Sequence, residues 1–222
     1  HVAVLGLGGL GSPLALYLGA AGVGRLTLVD GDTVDETNLH RQVIHSQNSL
    51  NQLKVESAKE RVLGINPWIQ VDVIDAHADD QNVDEAVASA QCVADLTDRF
   101  ATRFLANRLA LKHQVPTVSA AALGVEGQLT TIDPRDRDNP CYACLIPDVP
   151  EVEPTCAETG VLGPVVGTLG TLQAVEVLGV LLGWPDRLVG RLTRFNAKTM
   201  EWKSFRYRKD PACPVCASAA EL

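Results

Sequence analysis

The chain opens with a short unbroken apolar run, Val2 to Leu5, breaks at GLGGLG, and resumes as SPLALYLGAA, apolar on nearly every side. An apolar run of that length bounded by glycine predicts a strand buried on both faces, and the longer one a buried helix. Ser12 and Pro13 suit the helix start, Ser as a cap and Pro because its missing N–H costs nothing in the first turn. Arg25–Asp30 reads as a second strand, ending in an acid. Helical periodicity then runs from Ser49 to Leu63 and stops at Asn66-Pro67. Beyond it the pattern predicts a strand over Trp68–Asp75, a short helix over Val83–Ala90 and a strand over Gln91–Leu96. A helix over Phe100–His113 and a strand over Val115–Ala120 follow. Strands alternating with helices predict a parallel sheet with covered faces, an α/β fold. After Leu123 the order changes: Gly124–Ile132 and Arg191–Arg206 read as antiparallel strands, separated by a helix over Val165–Leu182.

That last helix approaches the length of a bilayer span. Across the stretch 163–184, Gln173, Glu176 and five glycines would sit inside a span, so a core or subunit-interface helix is expected instead, and with it a homodimer. The expected organisation is one domain over 1–222, with a nucleotide-binding half at 1–123 and a second half at 124–222. His1 already lies in the first strand, so either the natural chain is this short or a segment ahead of it is missing.

The glycines sharpen the fold. Gly6, Gly8 and Gly11 fit G-x-G-x-x-G, with an extra glycine at Gly9. Placed between a strand and a helix, such a turn lets backbone amides approach a phosphate, and Asp30 follows at the spacing where an acid meets a ribose hydroxyl. The expectation is a Rossmann-like parallel sheet with an antiparallel C-terminal extension.

The formal net charge of −8 argues against nucleic-acid and anionic-membrane partners. Six cysteines in a chain of 222 residues, four of them in two C-x-x-C pairs, fit a reducing, cytoplasmic setting with metal ligation better than a disulfide framework.

Further groups could converge on the glycine turn. In Asn38-Leu39-His40-Arg41-Gln42, the planar fork of Arg41 suits an oxyanion, against the plainer reading of a solvated connector charge. Lys54 on the following helix is a second phosphate candidate, though taken alone it reads as a solvent lysine. Asp95 and Asp98 flank a strand end, over the crevice of such sheets. One of them could hold Mg²⁺, and Asp98 could also cap the helix that follows. An Arg, a Lys and a carboxylate around phosphates suit a reaction that develops charge there, which shifts the ligand from NAD toward ATP. Cys141, Cys144, Cys213 and Cys216 have the composition of a closed structural Zn²⁺ site. Cys156, in a Pro- and acid-rich loop, is either a nucleophile or a bystander, and Cys92 reads as core.

GLGGLG, Asp30, the NLHRQ run, Lys54, DLTD, the C-x-x-C pairs and TCAETGVLGPVVG together resemble the ThiF/MoeB/HesA family of ubiquitin-like sulfur-carrier adenylyltransferases. The resemblance covers the whole chain. It implies an enzyme that uses ATP to adenylate the C-terminal Gly-Gly of a ThiS- or MoaD-like carrier, for thiamine or molybdopterin cofactor biosynthesis. It implies ribose binding by Asp30, phosphate binding by Arg41 and Lys54, Mg²⁺ at Asp98, and a pocket shaped by Asn38 and Gln42. It further implies zinc on the four paired cysteines, acyl or persulfide chemistry at Cys156, and a separate sulfur donor, a cysteine desulfurase or rhodanese. Arg99 departs from the pattern, which has Asn after the second aspartate. The alternatives are a non-catalytic adaptor for ubiquitin-like proteins, an NAD(P)-linked oxidoreductase, and a same-fold enzyme acting on a tRNA base.

Overall fold

A computed structural model describes residues 1–77, 82–147, 160–185 and 187–217. Its strands form one eight-stranded sheet in the order β3-β2-β1-β4-β5-β6-β7-β8. β1 (Val2–Leu5), β2 (Arg25–Val29), β3 (Gln70–Ile74), β4 (Cys92–Asp95) and β5 (Thr117–Leu123) are parallel to one another. β6 (Glu126–Ile132), β7 (Arg191–Asn196) and β8 (Glu201–Arg206) extend the sheet antiparallel.

Residues of β1 alternate between two cores, as a strand's period of two requires. Val2 and Val4 join the side covered by α1 (Gly11–Ala20), α2 (Lys54–Ile65) and α6 (Gly163–Leu181). Ala3 and Leu5 join the side covered by α3 (Asn82–Ala88) and α4 (Phe100–His113). Leu14, Leu18, Leu26 and Leu28 are fully buried, each contributing about 1.5–3 kcal/mol. A third cluster gathers the cysteine pairs around α5 (Tyr142–Leu145).

Helix α6 is long and apolar enough to cross a bilayer by length and composition, with a mean hydropathy of 1.5. It is instead a core helix against β4, β5 and α1. A Cβ at Gly170 would run into the Leu10 carbonyl and Pro13, so α6 and α1 meet backbone to backbone. Gln173 and Glu176 on this helix are buried and make hydrogen bonds. Gln173 donates to the Asp95 and Val118 carbonyls, and Glu176 accepts from Thr131 Oγ1 and the Leu188 amide.

Three local expectations are corrected. Ser12 does not cap α1: Leu10 holds the cap position and Ser12 Oγ donates back to the Gly8 carbonyl. The helix expected from Ser49 starts at Lys54, because Gln47–Ser49 form a short 3-10 turn and 51–54 are drawn into non-local pairing with 32–34. Val34 donates to Gln52, Asn51 to Val34 and Lys54 to Asp32. Nor does Asp98 cap α4; Arg99 holds that position without a side-chain bond.

Candidate functional site

The strand order reverses between β1 and β4, and a cleft of about 350 Å³ opens there at the carboxyl ends of the strands. The glycine turn forms its floor. Gly6 has a φ of +103°, and a Cβ at Gly11 would strike the Gly6 carbonyl, so these two glycines fold the turn on itself. Gly11 therefore does not line the cleft, while Gly8 and Gly9 do. A Cβ on Gly8 would meet only Gln42 Nε2, at 3.7 Å, so the protein itself does not demand glycine there. The space above Gly8 is open to a ligand.

Asp30 secures the turn to β2, accepting from Leu7 N at 2.7 Å and Asp32 N at 3.0 Å. Burial raises its pKa, against the pull of Lys54 and of the two amides. The Lys54 side chain, 6% exposed, is no solvent lysine: Nζ lies 2.7 Å from Asp32 Oδ2 at the wall of the cleft. Arg41 is braced by Asn38 Oδ1 and lies 2.8 Å from His40 Nε2, which aims a guanidinium along the same wall. Gln42 is 4% exposed, and its Oε1 has no partner among the described residues.

The DLTD pair divides. Asp95, 1% exposed, is turned inward, accepting from Thr97 N, Thr97 Oγ1 and Ser119 Oγ. Asp98 is exposed, lines the cleft and makes no hydrogen bond among the described residues. Arg103, one turn into α4, is buried and donates twice to the Thr97 carbonyl, fixing the segment that presents Asp98. Sequence reasoning passed over Asp32, His77, Thr102 and Arg103, all of which line the cleft. Asp32 was readable as an acid just past the strand; Arg103 carries no signal apart from its packing.

The four paired cysteines form a separate centre. Their sulfurs lie within 4.8 Å of one another, with Cys141–Cys144 at 3.9 Å, Cys141–Cys213 at 3.7 Å and Cys144–Cys216 at 3.5 Å. A tetrahedron with Zn–S near 2.3 Å has edges of about 3.8 Å, so this donor set fits a closed tetrahedral site. The Asp210 amide donates to Cys144 Sγ. Cys92 is buried in β4, its thiol pushed up to about 12 by burial, and is core as expected. Cys156 lies outside the described residues.

The glycine turn, the braced Arg41 and Lys54 and the exposed carboxylate of Asp98 thus line one cleft. Residues 1–215 match the ThiF family. The chain belongs to the ThiF family.

Over 218 residues it is 44% identical to a SAMP-activating enzyme E1 of Haloferax volcanii, covering 97% of this chain and 80% of that one. A molybdopterin-synthase adenylyltransferase of Escherichia coli K12 is 40% identical, covering 97% and 86%. A sulfur carrier protein ThiS adenylyltransferase of the same organism is 39% identical, covering 99% and 86%. Among solved structures, E. coli MccB with ATP superposes with a TM-score of 0.82 at 22% identity, a likeness of fold alone. This chain spans 66% of that one's length. The ThiF relatives named are thus adenylyltransferases or activating enzymes, and the fold is theirs: a mostly parallel sheet with an antiparallel edge.

Proposed function

We propose that this chain adenylates the C-terminal carboxylate of a small ubiquitin-like sulfur carrier ending in Gly-Gly, of the ThiS or MoaD kind. The observation that carries the reading is the cleft itself, where Gly8, Gly9, Arg41, Lys54 and the exposed Asp98 face one cavity. The relatives' names supply the substrate class. In this reading the carrier's carboxylate oxygen bonds to the α-phosphorus of ATP, and the bond to the bridging oxygen breaks, releasing pyrophosphate. Asp30 orients the ribose, with Asn38 and Gln42 shaping the pocket beside it. Arg41, Lys54 and the glycine-turn amides hold the phosphates in line and stabilise the charge that develops on the leaving group. Asp98 would hold Mg²⁺, whose charge neutralises phosphate oxygens. Residues 1–123 serve the nucleotide, and 124–222 the carrier and zinc.

Sulfur would come from a separate donor, a cysteine desulfurase or rhodanese, with Cys156 the thiol for acyl or persulfide transfer. Exposed Tyr17 on α1 and Val175 on α6, with Leu182 just beyond it, suit a homodimer face. The reading places the protein in the cytoplasm. Intact-mass measurement of a candidate carrier incubated with the protein and Mg-ATP is the test. Added AMP mass on the carrier, lost when the Gly-Gly tail is deleted, is expected; unchanged mass with every Gly-Gly-ended carrier overturns it.

The cysteine centre would hold structural Zn²⁺, tying the segment after β8 to α5. Removing the metal with a chelator, or Cys213→Ser, is expected to lower the melting temperature by many degrees, with added zinc restoring the chelated protein but not the variant. Calorimetry with metal analysis checks this, and an unchanged melting curve would count against a metal role.

A further inference from the structure

Beneath the glycine turn lies a buried histidine that the nucleotide reading leaves unused. His45 is 6% exposed. Its Nε2 stands 3.3 Å from the Leu7 carbonyl oxygen, and its Nδ1 2.9 Å from Ser57 Oγ on α2. A carbonyl oxygen only accepts, so Nε2 carries the ring proton and Nδ1 accepts from the Ser57 hydroxyl. Burial holds the ring pKa down at about 4, so this neutral tautomer persists around neutral pH.

The C=O and N–H of one trans peptide unit point in opposite directions. With the Leu7 carbonyl drawn down onto His45, the Gly8 N–H of the same unit is turned up toward the cleft. The units on either side are fixed by other partners. Leu7 N donates to Asp30, and the Gly8 carbonyl accepts from Ser12 N and Oγ. The Gly8 N–H itself meets no protein acceptor among the described residues. Because glycine tolerates nearly any backbone conformation, this unit would be free to flip if nothing held it. Flipped, it would aim a carbonyl oxygen at the place where an anion is to bind.

We infer that His45 is the positioning residue that locks the Leu7–Gly8 peptide with its N–H toward the cleft, so that the turn offers a nucleotide phosphate a donor rather than an acceptor. The inference rests on the nucleotide reading above. The test compares wild type with His45→Leu, which removes the donor, and His45→Gln, whose side-chain amide reaches about as far as Nε2. ATP affinity with Mg²⁺ by calorimetry, and KM and kcat in the adenylation reaction, are the readouts. One hydrogen bond to a charged group is worth about tenfold or more in binding. His45→Leu is therefore expected to raise Kd and KM for ATP about tenfold while changing kcat far less. His45→Gln is expected to restore most of the affinity. Wild-type affinity in a folded His45→Leu protein, or a Gln variant no better than Leu, would overturn the inference. A crystal structure of nucleotide-free His45→Leu supplies a readout independent of activity: the Leu7 carbonyl should turn toward the cleft or occupy two orientations, and an unchanged peptide would also overturn it. If wild type bound no ATP, the functional reading would fall, and that peptide's orientation would still decide the role of His45.

Discussion

Replacing Asp98 by Asn is expected to cut adenylation about a hundredfold or more while leaving the fold intact. Asp98 is exposed and makes no side-chain hydrogen bond among the described residues, its protein interaction being electrostatic, with Arg103, so the substitution removes no hydrogen bond that holds the structure together. It does remove the one free carboxylate of the DLTD pair in the cleft. A metal that neutralises phosphate charge is worth several kcal/mol in the transition state, which sets the size of the loss. The neighbouring acid is the control. Asp95→Asn disturbs a buried carboxylate with three donors, so its main effect is expected on stability. Steady-state rates and melting curves for both variants separate the roles. An Asp98→Asn protein with wild-type turnover would remove Asp98 from the reaction.

The largest stability effect outside the cysteine centre is expected at Glu176→Ala. This carboxylate sits in the apolar helix α6 yet satisfies Thr131 Oγ1 and Leu188 N through Oε1, and Arg187 through Oε2 at 3.1 Å. Its side chain is 9% exposed. Arg187 also lies over the Trp184 ring, 5.3 Å from its centroid. Truncation would strand a partly buried guanidinium, a hydroxyl and an amide together. Breaking such a buried pair costs about 3–5 kcal/mol, a fall in melting temperature of roughly 10 °C for a chain of this size. Glu176→Gln keeps an acceptor for the hydroxyl and the amide, and should lose about half as much. Thermal or urea unfolding checks both, and a loss below about 1 kcal/mol for Glu176→Ala would show the network to be redundant.

These two acids mark how far the sequence could be read. The alternation of strands and helices gave the parallel sheet, and helix α4 begins and ends where its periodicity predicts, at Phe100 and His113. Those features are local: an apolar run or a 3.6-residue period carries its own signal. The start of α2 differs from its expected place because the pairing of 51–54 with 32–34 is non-local, and no short window of sequence contains both partners. Ser12 looked like a cap, but the glycine turn delivers the chain into α1 with Leu10 already helical, φ −75° and ψ −45°. In the site, spacing brought Gly8, Asp30, Arg41, Lys54 and Asp98 to notice. It could not separate Gly8, which lines the cleft, from Gly11, which the backbone itself requires. Nor could it tell Asp95 from Asp98, since that depends on Ser119 on the neighbouring strand taking up the first of them. His45 read only as part of a polar connector, because its meaning lies in a carbonyl 38 residues away.

The central claim is that this cleft activates a protein's C-terminal carboxylate with ATP. Isotope exchange between labelled pyrophosphate and ATP tests it most directly, because it reports the reversible first step without any sulfur donor. With Mg²⁺ and a Gly-Gly-ended ubiquitin-like carrier, exchange should appear, depend on the carrier, and vanish when the terminal glycines are removed. Absence of exchange with the full set of Gly-Gly-ended carriers tried, in a protein shown to be folded, would contradict the account.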